Sequence, residues 1–332
     1  MKIVLDAMGS DHAPASEIEG ALIATEKYGV EIILVGQENL IKPKLAELGG
    51  ESNPRISIVH CDEVIGMNDS PAMALKQKKN SSICVGVELV SQKMAEGFIS
   101  AGNTGAVMAA SLFKIGRLQG ISRPALAATI PTIQDPCVLL DVGANVDCRP
   151  QHLVHFAIMG KVYYENVLGK QNPTIGLLSI GEEKEKGNDL TSKTHELLAG
   201  LPLNFIGNVE GRDIPKGGVD VVVCDGFVGN VILKFGEGLA KMILRSLMAE
   251  MGPVLANGND YSAIQSVFER FQKKVDYSEY GGVQLLGING TSIVCHGRSN
   301  AKAIANAIRS CMEYLNHDVN QRIAAEIKPV EE

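Results

Sequence analysis

The sequence predicts an α/β fold of three layers (α/β/α), in which helices cover both faces of a mainly parallel sheet. Short apolar runs typical of strands alternate along the chain with longer stretches of helical periodicity. Gly, Asp and Pro fill the connections, and no internal repeat or low-complexity linker interrupts the pattern. Such alternation is typical of parallel sheets built from crossover units. We therefore expect one α/β unit over residues 1–332.

The elements of the first half follow from this pattern. A first strand is predicted over residues 1–6, because Ile3, Val4 and Leu5 are consecutive apolar residues. The next elements in order are a helix at 15–28, a strand at 31–35, a helix at 40–48, a strand at 56–60, strands at 125–130 and 137–141, and a helix at 151–168.

The second half continues in the same way and then changes. The expected elements are a strand at 174–180, a helix at 190–198, strands at 219–224, 284–288 and 292–295, and a helix at 300–323. From Phe227 the strand–helix alternation stops, and residues 231–251 and 261–274 each show helical periodicity. This pair predicts a protruding helical arm over residues 231–274, of the kind that serves as a dimer contact or a lid.

The turn expected at residues 252–258, between these two helices, is apolar. Val254 and Leu255 stand where a solvent-exposed turn would normally be polar. We therefore hypothesise a shallow membrane contact at Val254 and Leu255. The apolar stripe of the preceding helix is more typical of a core or a dimer interface.

Composition excludes several functional classes. The net charge of −7 and the pI of about 5.6 argue against a general nucleic-acid binder. No signal-peptide pattern and no run long enough to span a bilayer is visible, which predicts a cytoplasmic protein. Seven scattered cysteines without a CxxC indicate neither a zinc site nor a disulfide framework. We expect reduced cysteines, no metal and no cofactor.

One stretch, residues 97–108, has the pattern of an anion cradle. An apolar strand-like run breaks into Ser-Ala-Gly-Asn-Thr-Gly, and a helical pattern follows. The flanking glycines allow close backbone approach, and a helix N-terminus favours an anion. Ser100, Gly102, Asn103 and Thr104 are therefore candidates to bind phosphate oxygens. The alternative is that Thr104 only caps the helix and the glycines only form the turn.

Six polar, glycine-rich segments follow predicted strands. Because ligands collect at the carboxyl ends of parallel strands, we expect the six to assemble one site. They are residues 6–12, 100–105, 141–147, 181–188, 208–213 and 225–230.

Long stretches of these segments resemble the PlsX family, the acyl-acyl carrier protein:phosphate acyltransferases of bacterial phospholipid synthesis. The match runs from the first strand to the last helix. Two mild departures are Ser10, where the family often has Gly, and Arg298, where Ser is common. The matching segments include DAMGSDHAP at 6–14, ISAGNTGA at 99–106, LLDVGANVDCRPQHLVHFAIMG at 139–160, GEEKEKGN at 181–188, CDGFVGNVILK at 224–234 and HGRSNAKAI at 296–304.

The resemblance implies a reaction and a set of partners. Inorganic phosphate would attack the thioester of a long-chain acyl carrier protein, giving acyl phosphate and free carrier protein. A downstream membrane acyltransferase would use the acyl phosphate to acylate glycerol 3-phosphate. It also implies a fold like those of phosphotransacetylase and the isocitrate and isopropylmalate dehydrogenases. The protein would form a homodimer, peripherally associated with the inner face of the cell membrane.

The residues present suit this chemistry, because phosphate is already an anionic nucleophile and needs no covalent intermediate. Lys186 is the candidate cation for phosphate, although its charged segment could simply be a solvated face. Asn230 is the candidate oxyanion donor, and it could also cap the helix expected at Val231. The candidate substrate-binding residues are Gly9, Asp11, His12, Ser100, Gly102, Asn103, Thr104, Asn145, Asp147, Gly181, Asn188, Asp225, Gly229 and His296.

Several roles within this set stay open at the level of sequence. Asp11 could orient His12 as a proton relay, or the two could belong to an ordinary turn. His296 could protonate the leaving thiolate. The carboxylates of Asp141 and Asp147 would repel phosphate. We therefore expect Asp141, Asn145 and Asp147 to orient Lys186 or main-chain N–H groups rather than to bind phosphate directly.

Carrier-protein docking requires a local basic patch, since both partners are acidic overall. Residues 76–79 and 273–274 are the candidates. Three other functions remain as alternatives: a short-chain phosphotransacetylase acting on acyl-CoA, a decarboxylating dehydrogenase of related fold, and a non-catalytic membrane scaffold for lipid enzymes. The dehydrogenase is disfavoured because no dinucleotide fingerprint is present.

Overall fold

A computed structural model describes residues 1–256, 266, 270–271 and 277–327. Within these residues, eleven strands form one sheet in the order β3-β2-β1-β4-β11-β10-β5-β6-β9-β7-β8. The strands are β1 Lys2–Asp6, β2 Glu31–Gly36, β3 Ile56–His60, β4 Gly97–Ser100, β5 Ala125–Ile130, β6 Cys137–Leu140, β7 Ile175–Leu178, β8 Phe205–Val209, β9 Val221–Val223, β10 Val283–Leu286 and β11 Thr291–Val294.

Helices cover both faces of the sheet, so the predicted three-layer α/β/α architecture is confirmed. The helices are α1 Ala15–Tyr28, α2 Glu38–Glu47, α3 Pro71–Gln77, α4 Ser82–Ser91, α5 Thr104–Lys114, α6 Pro150–Tyr163, α7 Asp189–Ala199, α8 Gly226–Ala256, α9 Ala301–Asn316 and α10 Val319–Glu326.

The layers follow from the alternation of side chains along each strand. In β1, Val4 joins the core under α4 and α5, whereas Ile3 and Leu5 join the core under α1, α2 and α9. In β5, Leu126 and Ala128 face the α4/α5 side. Nearly all of these strand residues are buried on both faces, as expected for central strands of a covered sheet.

The sheet is mostly parallel but changes direction at its centre. β10 pairs antiparallel with both β11 and β5, and β5 pairs antiparallel with β6. β1, β4 and β11 therefore end at one edge of the sheet, while β6, β9 and β7 end at the opposite edge. The expectation that all six polar segments share one edge is wrong for this reason, because it assumed that every strand runs in the same direction.

Several predicted helices differ from the observed ones. The long helix expected at 231–251 begins at Gly226 and extends to Ala256, and α3 and α4 were not predicted. The helix expected at 300–323 is interrupted where Asp318 adopts a φ of 49°, a left-handed conformation that ends α9 and precedes α10.

The predicted arm lies only partly within the described residues. The turn expected at 252–258 is wrong for 252–256, which are helical. Pro253 lies within α8, which continues to Ala256. The side chains of Val254 and Leu255, residues 257–258, and most of the helix expected at 261–274 lie outside the described residues. Over the described ranges, no helix is both long and apolar enough to cross a bilayer.

Candidate active site

A cavity of about 490 Å³ lies between α8 and the face of the sheet that carries Leu126 and Ala128. It is lined by residues from both edges of the sheet, because α8 passes across the short central strands. Its polar lining comprises Asp11, Gly102, Thr104, Thr129, Asn230, Lys234, Glu237, His296, Arg298, Ser299 and Asn300.

The loops after β1 and β4 form one wall, and buried acids hold their backbones. Ser100 Oγ donates to Asp6 Oδ2 at 2.6 Å and accepts the N–H of Gly102 at 3.0 Å. Burial raises the pKa of Asp6. A Cβ on Gly9 would lie 2.6 Å from the nitrogen of Gly102, so glycine allows these two loops to touch. Ser100 is therefore committed to the turn rather than turned towards the cavity.

Asn103, rather than Thr104, caps α5. Its Oδ1 accepts the N–H of Ala106 at 3.1 Å, and its Nδ2 donates to the carbonyls of Gly66, Met67 and Asp69. The amide of Asn103 thus joins two loops and is not turned towards a ligand. Thr104 is exposed, lines the cavity and begins α5, whose first N–H groups have no partner within the helix.

A second buried acid, Glu17 on α1, holds the loop after β1. Its Oε1 accepts the N–H of Ser10 at 3.0 Å, whereas its Oε2 is buried and has no hydrogen-bond partner among the described residues. Burial raises the pKa of Glu17 to about 7, and the nearby charge of Asp6 adds to this effect.

This shift predicts a pH-dependent stability. A Glu has a pKa of about 4.3 in an unfolded chain, so the folded state binds the proton of Glu17 more tightly. The resulting stabilisation is complete at low pH and is lost as the pH rises through 7. Relative to Glu17→Gln, which keeps an oxygen for Ser10, wild type should lose about 2 kcal/mol between pH 5.5 and 8. Urea unfolding of both proteins at the two pH values measures this; a constant difference would contradict it.

The loop after β6 is organised by Asp141, which is completely buried. Its Oδ1 accepts the N–H groups of Leu126, Gly143 and Ala144. Its Oδ2 accepts both the backbone N–H of Asn145, at 2.6 Å, and the Asn145 side-chain amide, at 2.9 Å. Asp141 therefore orients main-chain N–H groups, which confirms that part of the prediction.

Of the other two candidates in this loop, Asn145 is hydrogen-bonded within the protein and Asp147 faces solvent. The Asn145 amide also donates to the carbonyl of Pro124 at 2.7 Å, so both of its protons are used within the protein. Asp147 is exposed. Burial raises the pKa of Asp141 even though its N–H partners oppose the shift.

The first turn of α8 packs directly on the Asp141 loop. Asp225 caps the helix by accepting the N–H of Val228 at 2.9 Å, so the alternative in which Asn230 is the N-cap is wrong. A Cβ on Gly229 would lie 1.9 Å from the carbonyl oxygen of Asp141, which explains glycine there. Asn230 is exposed and lines the cavity, and among the described residues its amide has no hydrogen-bond partner.

His296, Lys234 and Arg298 lie at the other end of the cavity. The Nδ1 atom of His296 accepts the N–H of Arg298 at 3.0 Å, which places the proton of the neutral ring on Nε2. Burial, assisted by the charge of Lys234, lowers the pKa of His296. Lys234 pairs with Glu237 at 3.2 Å. Neutral His296 can therefore donate a hydrogen bond beside a positive charge.

Asp11 and His12 do not form the proposed relay. The N–H of Asp11 donates to the carbonyl of Gly297 at 2.7 Å, and its carboxylate lies 3.9 Å from Arg298 Nε. His12 is exposed, and its N–H donates to Ser10 Oγ. Within the described chain no hydrogen bond joins Asp11 to His12, because Asp11 turns towards the loop after β11.

The loop of Lys186 follows β7, at the same sheet edge as the Asp141 loop. The carbonyl of Lys186 accepts from Ser179 Oγ at 2.9 Å, and its side chain is exposed. Asn188 caps α7 by accepting the N–H of Thr191 at 3.0 Å, and Gly181 packs on the side chain of Lys186. None of these residues lines the cavity in the described part of the structure.

The structure thus brings together five of the predicted site residues: Asp11, Gly102, Thr104, Asn230 and His296. It adds Lys234, Glu237 and Arg298, which the sequence analysis did not propose as site residues. Lys234 and Glu237 could have been found from their spacing, since residues 230, 234 and 237 share one face of a helix that begins at Gly226. Among the described residues, no cluster of acidic, His or Cys side chains could hold a metal ion.

Comparison with known proteins gives a consistent family. A model of the family described as "Fatty acid synthesis protein" matches residues 1–322. The phosphate acyltransferase of Geobacter sulfurreducens is 49% identical over 328 residues, covering 99% of this chain and 94% of the relative. That of Trichlorobacter lovleyi is 51% identical, covering 98% and 94%.

Solved structures show the same fold at low identity. A phosphotransacetylase from Streptococcus pyogenes has a TM-score of 0.62 at 18% identity, covering 97% of this chain and 94% of that one. A branched-chain phosphotransacylase from Enterococcus faecalis has a TM-score of 0.58 at 15% identity, covering 96% and 100%. The expected likeness to the phosphotransacetylase fold is confirmed. On the sequence relatives, the chain belongs to the PlsX family of phosphate acyltransferases, as its own motifs predicted.

Proposed function

We propose that this protein transfers a long-chain fatty acyl group from acyl carrier protein to inorganic phosphate. The acyl phosphate would then serve a membrane acyltransferase that acylates glycerol 3-phosphate. Support comes from relatives named phosphate acyltransferase that are 49% and 51% identical to this chain over nearly its full length. The observation that carries the proposal is the cavity in which Asn230, His296 and the first turn of α5 surround a space large enough for a phosphate and a thioester.

Direct attack by phosphate fits this cavity better than a covalent intermediate. Cys295 lines the cavity, but burial raises the pKa of its thiol to about 12, so it is not a nucleophile at neutral pH. The phosphate oxygen would form a bond to the thioester carbon and give a tetrahedral oxyanion. Collapse would break the C–S bond and release the carrier-protein thiolate, a leaving group that needs no obligatory acid.

Each polar group of the cavity has a part in this scheme. The Asn230 amide would donate to the oxyanion, where such a donor stabilises developing charge. Lys234 and the N-terminus of α5 would hold the phosphate anion, with His296 lining the same cavity. Lys186 remains the proposed second cation, on a loop at the same sheet edge as Asn230's supporting loop.

The partners remain proposals as well. The acidic carrier protein would meet Lys234 and Arg298, which line the cavity, and Lys241 nearby. In addition to burial, the charges of all three lower the pKa of His296. Of the earlier candidates, Lys78 in segment 76–79 forms an ion pair with Asp69 at 2.6 Å, and residues 273–274 lie outside the described residues. We further propose a homodimer and a peripheral membrane contact at Val254 and Leu255. Binding of Leu255→Glu to anionic vesicles, compared with Leu255→Ala, tests the membrane contact.

The function is tested by thiol release from palmitoyl carrier protein, with and without phosphate. We expect release that requires phosphate and yields a product reactive with hydroxylamine, as an acyl phosphate is. Lys186→Ala should lower this rate. Release without phosphate would indicate a thioesterase, and activity with acetyl-CoA but not with palmitoyl carrier protein would indicate a short-chain enzyme. No release with either substrate would favour a scaffold.

A further inference from the structure

A second cavity, of about 340 Å³, lies farther along α8 and is almost entirely apolar. It is bounded by α8 on one side and by the end of β5 and the turn at Ile214–Lys216 on the other. Its apolar lining includes Ile130, Ile232, Phe235, Leu239, Ile243 and Phe271. Several of these side chains are strongly exposed, Phe235 by 69% and Ile243 by 45%, which is unfavourable for apolar groups left in water.

The two cavities share a boundary. Thr129, Leu233 and Glu237 line both of them, so the apolar cavity opens next to the polar one along the same helix. From Asn230 towards Ile243 the lining therefore changes from amide and charged groups to alkyl and aromatic groups. A ligand that spans the boundary would need a polar, reactive end and a long apolar end.

We propose that the apolar cavity binds the alkyl chain of the acyl substrate, with the thioester carbonyl in the polar cavity near Asn230 and the chain crossing the Thr129–Leu233–Glu237 boundary. This inference rests on the proposed function. An alkyl chain there would cover the exposed side chains of α8 and be removed from water itself. A volume of about 340 Å³ is in the range of cavities that bind small ligands. The depth of the cavity would then select the chain length.

Gly236 offers a way to shorten the cavity. It lies in the lining, and a Cβ built on it meets no atom within 4 Å, so a larger side chain would extend into open space. Gly238, two residues farther along α8, is equally open but does not line the cavity. The two glycines therefore form a matched pair, since leucine at either one affects helix propensity similarly.

The experiment compares Gly236→Leu and Gly238→Leu in two assays. In the transfer assay, Gly236→Leu should lower kcat/KM for the hexadecanoyl carrier protein by about tenfold or more and leave the octanoyl substrate nearly unchanged. Gly238→Leu should keep the wild-type profile. In the binding assay, the Kd of dodecyl phosphate, measured calorimetrically below its micelle concentration, should rise by about tenfold in Gly236→Leu alone.

The outcomes separate this inference from the proposed function. A wild type that transfers acyl groups, with the same profile and the same Kd in both variants, overturns the cavity assignment alone. A wild type without phosphate-dependent transfer overturns the proposed function, while a Kd raised only in Gly236→Leu still supports the alkyl cavity. If Gly236→Leu changes the oligomeric mass in gel filtration but not the Kd, the cavity is an interface between copies and the inference is wrong.

Discussion

Asn230→Ala is expected to lower kcat for phosphate-dependent acyl transfer by about 10²–10³-fold, the usual effect of removing one oxyanion donor. The side chain is exposed in the cavity and has no partner among the described residues, so its amide is available to a ligand. Its helix is positioned by Asp225 and by the contact of Gly229 with Asp141 rather than by Asn230. The free energy of unfolding should therefore stay within about 0.5 kcal/mol of wild type.

Two variants show whether the amide protons are responsible. Asn230→Asp keeps the shape but replaces two donors with a negative charge, so it should be at least as inactive as Asn230→Ala. Val231→Ala changes the next exposed residue of the same turn and should keep nearly full activity. Because the interaction forms in the transition state, KM for phosphate should change far less than kcat. Full activity in Asn230→Asp would exclude Asn230 as a donor.

Local sequence patterns were sufficient for much of the sheet. The helix expected at 15–28 and the strand expected at 125–130 agree with α1 and β5 residue for residue. Each depends on a periodicity contained in its own residues, which is why sequence alone predicts it. The reversal at β10 depends instead on its partners β11 and β5, which a local pattern does not specify.

The start of α8 shows tertiary packing overriding propensity. The prediction began the helix at Val231, but Gly226 and Gly229 lie in its first turn, although glycine is an unfavourable helix residue. The structure requires small residues there, because Cβ atoms at Gly226 and Gly229 would clash with Asn145 and Asp141. Starting the helix five residues earlier places Asn230, Lys234 and Glu237 on one face, the face that lines the cavity.

Asparagines in glycine-rich turns were the least predictable part of the site. Asn103, Asn145 and Asn230 all follow strands and all have an amide that could face a ligand. In the structure, Asn103 and Asn145 use their amide protons to join loops, and Asn230 does not. The difference arises from which backbone carbonyls lie nearby in the fold, information that residue type and spacing do not contain.

Asp141→Ala should be the most destabilising of the substitutions considered, by about 3–5 kcal/mol. The change would leave several buried N–H groups without an acceptor, each of which costs about 1–3 kcal/mol when unpaired. Removing the carboxylate also removes the cost of burying it, the same desolvation that raises the pKa of Asp141. This gain offsets part of the lost stability. Urea unfolding at pH 7 measures the net effect, and a loss below about 1 kcal/mol would contradict it.

Asp141→Asn is the matched control, since it keeps the volume and the Oδ1 acceptor for Leu126, Gly143 and Ala144. Its new amide would face the N–H groups of Asn145, so we expect an intermediate loss of stability. Activity should fall in the same order, Ala below Asn below wild type, even where the protein remains folded. The first turn of α8 rests on the Asp141 loop, and any shift of that loop displaces Asn230 from the reacting carbonyl. An Asp141→Ala protein that is destabilised but fully active would show that Asn230 does not depend on this loop for its position.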